Sequence, residues 1–362
     1  MDYDKILAIK PFALDQSDKD KIFTSYLKEL TIHHMKCSSS YANILNGLSY
    51  SSDEVKSVTD IPFLPVSLFK QIELKSASNE DVFKTMTSSG TTGQQVSKIF
   101  LDKKTAVNQQ KTLAKIMSEF LGKDRLPMII IDSPSVIKDR TMFSARGAGI
   151  LGFSIFGSKK IYALNDDMSL NIDALRNFIN EHQHSKILIF GFTFMIWQHF
   201  YHELVKNNIT LNLQNAVLFH GGGWKKLSSQ NITSKQFKEG LFKTCKLESI
   251  HDYYGMVEQT GCIYVECEYG HLHASSYSDI IIRNPNDFSE LGINKIGIIQ
   301  VLSLLPESYP GHSLLTEDEG VLLGIDDCKC GRKGKYFKVL GRLQNAEIRG
   351  CSDTYETQIK RD

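Results

Sequence analysis

Short, continuously apolar runs alternate with amphipathic segments through the middle of this 362-residue chain. The apolar runs occupy residues 128–131, 187–190 and 216–219. The segments whose apolar residues have helical spacing are 106–121, 172–178, 193–205 and 236–245. Strands that are apolar throughout are typical of parallel sheets, because helices cover both faces of such a sheet. The sequence therefore predicts an α/β fold with parallel-rich sheets flanked by helices.

The last third of the chain has a different pattern, in which short strands follow one another closely. These strands are predicted at residues 262–266, 279–283, 296–302, 321–325 and 336–340. Because no long helical segment separates them, they favour a smaller, largely antiparallel section of the same domain. We therefore predict one domain over residues 1–340 and a short C-terminal tail over residues 341–362.

Composition and charge narrow the classes of function. The formal charge is +1, which gives no electrostatic reason to expect nucleic-acid binding. No apolar run approaches the roughly 18 residues that a membrane span needs. The seven cysteines are odd in number and mostly late in the chain, which argues against a secreted disulfide framework. With no signal-peptide pattern at the N-terminus, we expect a cytoplasmic protein.

A loop rich in hydroxyl and glycine residues, T-S-S-G-T-T-G at residues 87–93, is the clearest candidate for a phosphate-binding site. Glycine allows backbone N–H groups to turn inward as an anion nest, and the hydroxyl groups add donors. The loop is not a Walker A motif, since no lysine follows Gly93. Lys98 could supply a countercharge. A Ser/Thr-rich surface turn remains the alternative interpretation.

Four further motifs follow in order: G-G-G at 221–223, D-Y-Y-G-M-V-E at 252–258, T-E-D at 316–318 and G-R at 341–342. Together with the loop they resemble the adenylate-forming enzymes. The resemblance implies an ATP-binding fold in which Glu258 helps to hold Mg²⁺, an aromatic residue lies against adenine and Asp318 binds the ribose. The nucleotide-binding residues that it implies are Ser88, Ser89, Gly90, Thr91, Thr92, Gly93, Gly221, Gly222, Gly223, Asp252, Tyr253, Tyr254, Gly255, Met256, Asp318 and Arg342.

A narrower resemblance covers nearly the whole chain. The segment from Ile61 to Lys70, the T-S-S-G-T loop, G-G-G-W-K at 221–225 and G-C-S at 350–352 resemble the LuxE-like acyl-protein synthetases. These ligases activate a fatty acid with ATP and then carry it as a thioester on a cysteine near the C-terminus. Cys351 stands at that position, and the resemblance implies an acyl reductase or carrier protein as partner. The alternative for Cys351 is a spare cytosolic thiol.

The chain also departs from the adenylate-forming pattern. Val257 replaces a threonine, Glu317 replaces a glycine, and Asn345 stands where the hinge aspartate would be. The chain ends about a hundred residues short of a full C-terminal lid, so the catalytic lysine of that lid is missing. We therefore predict that another cation assists adenylation, and Lys98 is the candidate.

A second cluster of residues has the spacing of a metal site. Cys267 and His273 form a C-x₅-H pair, and Cys328 and Cys330 form a C-x-C pair. Four such nitrogen and sulfur ligands are the closed tetrahedral set of a structural Zn²⁺. The arrangement resembles the phenylacetate-CoA ligase branch, some members of which carry such a zinc. Cys262 and His271 are alternative ligands, and reduced buried thiols without metal are the alternative interpretation.

Residues for the acyl substrate are less sharply defined. His220 ends an apolar run and could contact the substrate carboxylate, or it could simply end a strand with its hydrogen bonds satisfied. Phe143, Ser144 and Gly147 lie in a glycine-rich run that resembles the wall of the family's acyl pocket.

Three hypotheses for function follow from these patterns. The first is an ATP-dependent ligase that forms acyl-AMP and transfers the acyl group to Cys351. The second is an acyl-CoA ligase of the phenylacetate type, in which coenzyme A is the acceptor and Cys351 is idle. The third is a non-catalytic, nucleotide-binding scaffold, which the missing lid lysine and Val257 would favour.

Overall fold

The computed structural model describes residues 3–88, 96–137, 145–222 and 232–343. The described residues form two compact units. Unit 1 contains residues 3–119 and 254–343, and unit 2 contains residues 120–253. No helix among the described residues is both long and apolar enough to cross a membrane.

The strands and helices are numbered here along the chain. The strands are β1 (Leu64–Pro65), β2 (Val82–Thr87), β3 (Lys98–Asp102), β4 (Leu126–Ile131), β5 (Gly157–Tyr162), β6 (Ile187–Phe192), β7 (Ala216–Gly221), β8 (Ser249–Tyr254), β9 (Tyr264–Glu266), β10 (Leu272–His273), β11 (Ser278–Arg283), β12 (Ile296–Ser303), β13 (Ser313–Ile325) and β14 (Lys335–Arg342). The helices are α1 (Tyr3–Ala8), α2 (Gln16–Cys37), α3 (Ser39–Gly47), α4 (Leu68–Gln71), α5 (Lys103–Leu121), α6 (Ala145–Phe153), α7 (Ile172–Glu181), α8 (Thr193–Met195), α9 (His202–Lys206) and α10 (Ser234–Cys245). A π-helical segment, Ile196–Tyr201, joins α8 to α9.

Unit 2 is built on a parallel sheet with the strand order β5-β4-β6-β7-β8. Its central strands coincide with the three apolar runs, and every residue of β6 and β7 is buried. Helices α7 and α10 and the π-helical segment contribute Phe178, Phe237 and Phe200 to the core beside these strands. The predicted α/β class with parallel strands is confirmed.

Unit 1 contains the antiparallel section. Strands β11, β12, β13, β14, β10 and β9 pair in that order, and β1 joins β13 in parallel with Leu64 opposite Leu314. The five predicted strands all fall within this sheet, although β13 is much longer than the segment predicted for it. A core that includes Phe337, Tyr264 and Tyr309 lies between this sheet and the N-terminal helices.

A hairpin of strands β2 and β3 frames the hydroxyl-rich loop. Thr85 pairs with Phe100 and Thr87 pairs with Lys98, so two extended segments flank the loop. At the base of the hairpin, the Ser97 N–H donates to Ser88 Oγ at 2.9 Å and the Ser88 N–H donates to the Ser97 carbonyl at 3.2 Å. The hairpin therefore fixes the two points at which the chain enters and leaves residues 89–95.

Candidate active site

The carboxyl ends of the parallel strands in unit 2 bring together polar groups that are distant in sequence. His220 near the end of β7 lies 2.9 Å from the hydroxyl of Thr193, which follows β6. The Thr193 hydroxyl donates to the Gly221 carbonyl at 3.1 Å, so it must accept the hydrogen bond from His220 Nδ1. His220 therefore carries its proton on Nδ1.

The charge state of His220 follows from its surroundings. The ring is fully buried, and burial lowers the pKa of His220 to about 3. Asp252 at the end of β8 approaches Nδ1 at 3.7 Å, which is too long for a good hydrogen bond. His220 is thus a neutral imidazole at physiological pH, held by Thr193 at the edge where open α/β sheets bind their ligands.

The first two positions of the G-G-G run require glycine for different structural reasons. A Cβ atom on Gly221 would lie 2.6 Å from Cε1 of Tyr253, so only glycine leaves room for that ring. Gly222 has a φ of +81°, a conformation that side chains rarely adopt. The planar group that approaches the glycine backbone here is therefore the Tyr253 ring itself.

The Tyr253 ring is also part of an aromatic group in unit 2. Its centroid lies 5.1 Å from that of Phe153 on α6, and Phe153 stacks on Phe190 of β6 at 4.2 Å. Helix α6 comes close to the same strand, because a Cβ atom on Gly149 would lie 2.9 Å from the Phe192 ring. The small residues of the glycine-rich run therefore let α6 pack closely on β6, and Gly147 lies on this helix.

A buried ion pair that the sequence analysis missed anchors the same helix. Asp132 follows β4, and its Oδ2 lies 2.9 Å from Nε of Arg146 in the first turn of α6. Burial raises the pKa of Asp132 to about 6, although the Arg146 charge and the Ser133 N–H oppose the shift. An aspartate directly after an apolar strand was the available signal, but nothing in the sequence indicates its partner.

In unit 1, residues from three separate motifs meet. The Tyr254 hydroxyl donates to Asp318 Oδ2 at 2.7 Å, and Arg342 Nε lies 3.6 Å from Asp318 Oδ1. Arg342 also contacts Glu317, with 3.3 Å between Nη2 and Oε2. Burial raises the pKa of Asp318, and the hydrogen bond from Tyr254 and the Arg342 charge oppose that shift. The fold thus gathers the aromatic, acidic and basic residues that the resemblance assigned to one nucleotide.

The candidate magnesium ligand Glu258 is buried in the same unit. Burial raises the pKa of Glu258, while the nearby Ser97 side chain and the charge of Lys70 lower it. The Tyr309 hydroxyl donates to the Glu258 carbonyl at 2.9 Å and fixes the backbone. Because Ser97 also forms the base of the β2–β3 hairpin, Glu258 lies beside the point where the hydroxyl-rich loop begins.

The two lysines near this loop differ in their surroundings. Lys98, the predicted cation, is exposed at the start of β3. Lys70, for which the sequence predicts no role, lies in α4. It is close enough to Glu258 for its positive charge to lower the pKa of that carboxyl group. Phe69 beside it is buried against Tyr309, with 6.2 Å between ring centroids.

Several predicted residues fall outside the described part of the chain. These are Ser89, Gly90, Thr91, Thr92, Gly93, Phe143, Ser144, Gly223 and Cys351. Of the other predicted nucleotide residues, Gly255 and Met256 follow β8 in unit 1, and Met256 packs against its core.

The predicted metal ligands come together in unit 1. The ligand atoms of Cys267, His273, Cys328 and Cys330 all lie within 4.8 Å of one another. Cys267 Sγ is 4.0 Å from Cys328 Sγ, and Cys330 Sγ is 3.4 Å from His273 Nε2. In a tetrahedral zinc site the corresponding distances are about 3.8 Å and about 3.5 Å, given Zn–S and Zn–N bonds of roughly 2.3 and 2.0 Å. The four residues present therefore fit such a metal.

The two alternative ligands behave differently from each other. His271 Nδ1 lies 3.4 Å from Cys328 Sγ, so His271 borders the cluster. The Cys262 thiol instead donates to the Tyr277 carbonyl at 3.5 Å and accepts from Ser303 at 3.3 Å. Cys262 therefore belongs to a separate set of contacts.

Comparison with known proteins places the chain in a family. The family model for the acyl-protein synthetase LuxE matches residues 2–360. The chain is similar to a long-chain-fatty-acid–luciferin-component ligase of Aliivibrio fischeri, with 20% identity over 371 residues that cover 99% of this chain and 94% of that protein. It is also similar to a ligase of the same description from Vibrio harveyi, with 20% identity over 82% of this chain and 78% of that protein.

Solved structures show the fold. A 2-hydroxyisobutyryl-CoA ligase in an open conformation matches with a TM-score of 0.69 and 13% identity, over 93% of this chain and 78% of that chain. The same enzyme in its postadenylation state matches with a TM-score of 0.69 over 94% of this chain and 71% of that chain. The chain therefore shares the fold of this CoA ligase, and the predicted α/β fold is confirmed.

Proposed function

Because the chain belongs to the LuxE family of acyl-protein synthetases and is therefore a ligase, we propose that it activates a fatty acid with ATP and transfers the acyl group to Cys351. The contact that carries this proposal is the meeting of Tyr254, Asp318 and Arg342 in unit 1. Arg342 is the cross-strand neighbour of Asp318, whereas Tyr254 is 64 positions away from Asp318 in the sequence. Together the three side chains offer hydrogen-bonding and charged groups that fit a nucleoside triphosphate.

In the proposed first step, a carboxylate oxygen of the fatty acid attacks the α-phosphorus of ATP. The bond from that phosphorus to the bridging oxygen breaks, and pyrophosphate leaves with the oxygen and its electron pair. Catalysis of such a transfer depends mainly on positioning and charge neutralisation. Ser88 and the residues through Gly93 would hold the leaving phosphates, and Tyr253 with Gly221, Gly222 and Gly223 would frame the adenine. Asp318 would accept hydrogen bonds from the ribose.

Two kinds of positive charge are needed beside the phosphates. Glu258 is the residue that would hold Mg²⁺, since a carboxylate beside phosphates suits this hard cation, and the bound ion would neutralise phosphate charge. Ser97, at the base of the hairpin, acts on the same carboxylate by lowering the pKa of Glu258. Lys98 stays the proposed cation for adenylation, and Lys70 is a second candidate because its charge acts on Glu258.

In the proposed second step, the Cys351 thiolate attacks the carbonyl carbon of acyl-AMP. The bond from that carbon to the phosphate oxygen breaks, AMP leaves, and a thioester remains. Ten residues separate Cys351 from Gly341, enough to span roughly 30 Å when extended. Arg342 and Arg349 would favour the thiolate form. The acyl group would then pass to an acyl reductase or carrier protein.

The acid itself would lie near the strand ends of unit 2. His220 is neutral and buried, so its unprotonated Nε2 carries a lone pair. This atom would accept a hydrogen bond from a donor or lie close to a carbonyl carbon, and it would not bind an anion. We therefore retain His220, Gly147, Phe143 and Ser144 as substrate residues, with His220 acting through polarity and not through charge.

A cytoplasmic location stays a prediction.

We further propose that Cys267, His273, Cys328 and Cys330 hold a structural Zn²⁺. The support is the tetrahedral fit of their ligand atoms. His271, which contacts Cys328, would stabilise the thiolate from outside the ligand set. Such a site would supply folding stability and no step of the reaction.

The proposed transfer is tested by intact-protein mass after incubation with Mg-ATP and a series of fatty acids. We expect one acyl adduct, removed by hydroxylamine, that maps to Cys351 and disappears in Cys351→Ser. Cys37→Ser is the matched control, because Cys37 is an exposed free thiol on α2. An adduct that persists in Cys351→Ser, or that maps to Cys37, would remove Cys351 from the mechanism.

A second candidate is an acyl-CoA ligase, and one observation favours it. The solved structures that share the fold include a 2-hydroxyisobutyryl-CoA ligase in complex with 2-HIB-AMP and CoA. In this case AMP release would depend on added coenzyme A, and no adduct would form on the protein. Measuring AMP release with and without coenzyme A separates the two acceptors.

A further inference from the structure

Glu317 occupies a position with no role in the proposed reaction, and its contacts are specific. It precedes Asp318 in β13, and its carboxylate lies 3.3 Å from Nη2 of Arg342. Its carbonyl also accepts a hydrogen bond from the Leu343 N–H at 3.0 Å. Glu317 therefore contacts the end of β14 through both its side chain and its backbone.

The guanidinium of Arg342 is divided between two carboxylates. Arg342 lies directly opposite Asp318 in the antiparallel register. Its Nη2 faces Glu317, while its Nε stays 3.6 Å from Asp318 Oδ1, beyond the usual hydrogen-bond range. All three side chains are partly exposed, with 26% for Arg342, 21% for Glu317 and 19% for Asp318, so solvent or a ligand can reach them.

This division leaves acceptor capacity on Asp318. Oδ2 accepts a hydrogen bond from the Tyr254 hydroxyl at 2.7 Å. Oδ1 lies 3.6 Å from Arg342 Nε, which is a longer contact than the one that Oδ2 makes with Tyr254. A carboxylate has about four lone-pair sites, and two neighbouring hydroxyl groups of a ribose can donate to it together. The Arg342 guanidinium can also donate two hydrogen bonds to one carboxylate. It would therefore compete with the ribose hydroxyl groups for the lone pairs of Asp318.

We propose that Glu317 is a positioning residue that draws Arg342 away from Asp318 and so keeps the Asp318 carboxylate open to the ribose hydroxyl groups. This inference rests on the proposed function, because it assumes that Asp318 receives a ribose. Without the Glu317 charge, Arg342 turns its fork fully onto Asp318 and competes with the ribose. The glutamate thus tunes nucleotide recognition without contacting the nucleotide.

The test compares ATP with 2′-deoxy-ATP in acid-dependent pyrophosphate exchange by the full-length protein. In Glu317→Gln we expect KM for ATP to rise about tenfold, the size of one lost charge-assisted hydrogen bond, while kcat changes little. KM for 2′-deoxy-ATP should rise much less, because this analogue lacks one of the competing hydroxyl groups. The preference for ATP over the deoxy analogue should therefore fall by about the same tenfold factor.

Two variants complete the design. Glu317→Asp keeps the charge and should restore most of the preference for ATP. Glu319→Gln removes a charge two positions along the same strand and should match the wild-type protein. A Glu317→Gln protein with wild-type preference overturns the inference while the proposed function stands. Wild-type protein that supports no exchange at all overturns the proposed function, and the inference falls with it.

Discussion

At the scale of single residues, two adjacent tyrosines have different tasks because successive side chains of a strand point to opposite faces. Tyr253 lies against Gly221, where no side chain other than hydrogen fits. Tyr254 donates its hydroxyl hydrogen to Asp318. A motif that reads as one aromatic pair in the sequence therefore provides a planar surface and a hydrogen-bond donor in separate places.

Glu258 gives a prediction in which activity and stability respond in opposite directions. Burial raises the pKa of Glu258 in the folded protein, so its contribution to stability is present below the unfolded pKa and is lost as the pH rises. At pH 7 the buried charge of Glu258 destabilises the folded protein. Glu258→Gln should therefore be at least as stable as the wild type in urea denaturation without Mg²⁺. Pyrophosphate exchange should fall at least about 100-fold because a metal ligand is lost.

The two measurements on this variant check each other. A Glu258→Gln protein that is inactive because it is unfolded would show a lower urea midpoint than the wild type. Full exchange activity in a stable variant would show that Glu258 does not serve the reaction.

At the scale of elements, a group of imidazoles ties helix α2 to the antiparallel sheet of unit 1. His312 precedes β13 and accepts or donates a hydrogen bond with Thr31 of α2 at 2.9 Å. Its ring stacks on His34 at 5.0 Å, and the Tyr41 ring lies edge-on to it at 6.0 Å. Because the His312 and His34 rings are buried together, protonating one of them is costly.

This group predicts the acid sensitivity of unit 1. Burial lowers the pKa of His312 to about 3, against about 6.5 in the unfolded chain. A depressed folded pKa gives stability that is present above pH 6.5 and is lost as the pH falls. Between pH 7.5 and 5.5 the linkage amounts to about 1.4 kcal/mol for one such histidine. His312→Gln, whose amide can still bind Thr31, should therefore lose about that much less over the same interval.

Urea denaturation at the two pH values measures this difference directly. Equal losses for the wild type and His312→Gln would mean that the ring is protonated in the folded protein.

The cysteine and histidine cluster is the second element-scale feature with a testable consequence. It joins the turn before β10 to the turn between β13 and β14. If it holds zinc, protein purified without chelator should contain one equivalent of the metal. Chelation or Cys330→Ser should then lower the melting temperature by at least about 5 °C, because metal binding stabilises only the folded state. Cys37→Ser is the control, since Cys37 lies outside the cluster. A metal-free protein with an unchanged melting temperature after chelation would exclude the site.

These elements also show what the sequence could and could not predict. Strands β4, β6 and β7 were predictable because parallel strands buried on both faces must be apolar throughout. Strand β5 was not, because Lys159 and Lys160 interrupt its pattern at the edge of the sheet. The four cluster ligands were predictable from their spacing alone. The contacts of Ser97 with Glu258 and of Asp132 with Arg146 were not, since they depend on pairings between distant segments.

At the scale of the whole molecule, each of the two compact units contains candidate residues of its own. Unit 2 supplies His220, Gly221 and Tyr253, whereas unit 1 supplies Glu258, Asp318 and Arg342. The family membership covers both units, since the match runs through residues 2–360. The account therefore requires that this chain completes the activation of an acid.

The most direct test of that requirement is pyrophosphate exchange into ATP by the purified full-length protein, with and without a fatty acid. We predict exchange that needs both Mg²⁺ and the acid, because only formation of acyl-AMP makes the release of pyrophosphate reversible. Equilibrium dialysis on the same samples measures ATP binding. Bound ATP without acid-dependent exchange would contradict the account and identify the chain as a nucleotide-binding scaffold.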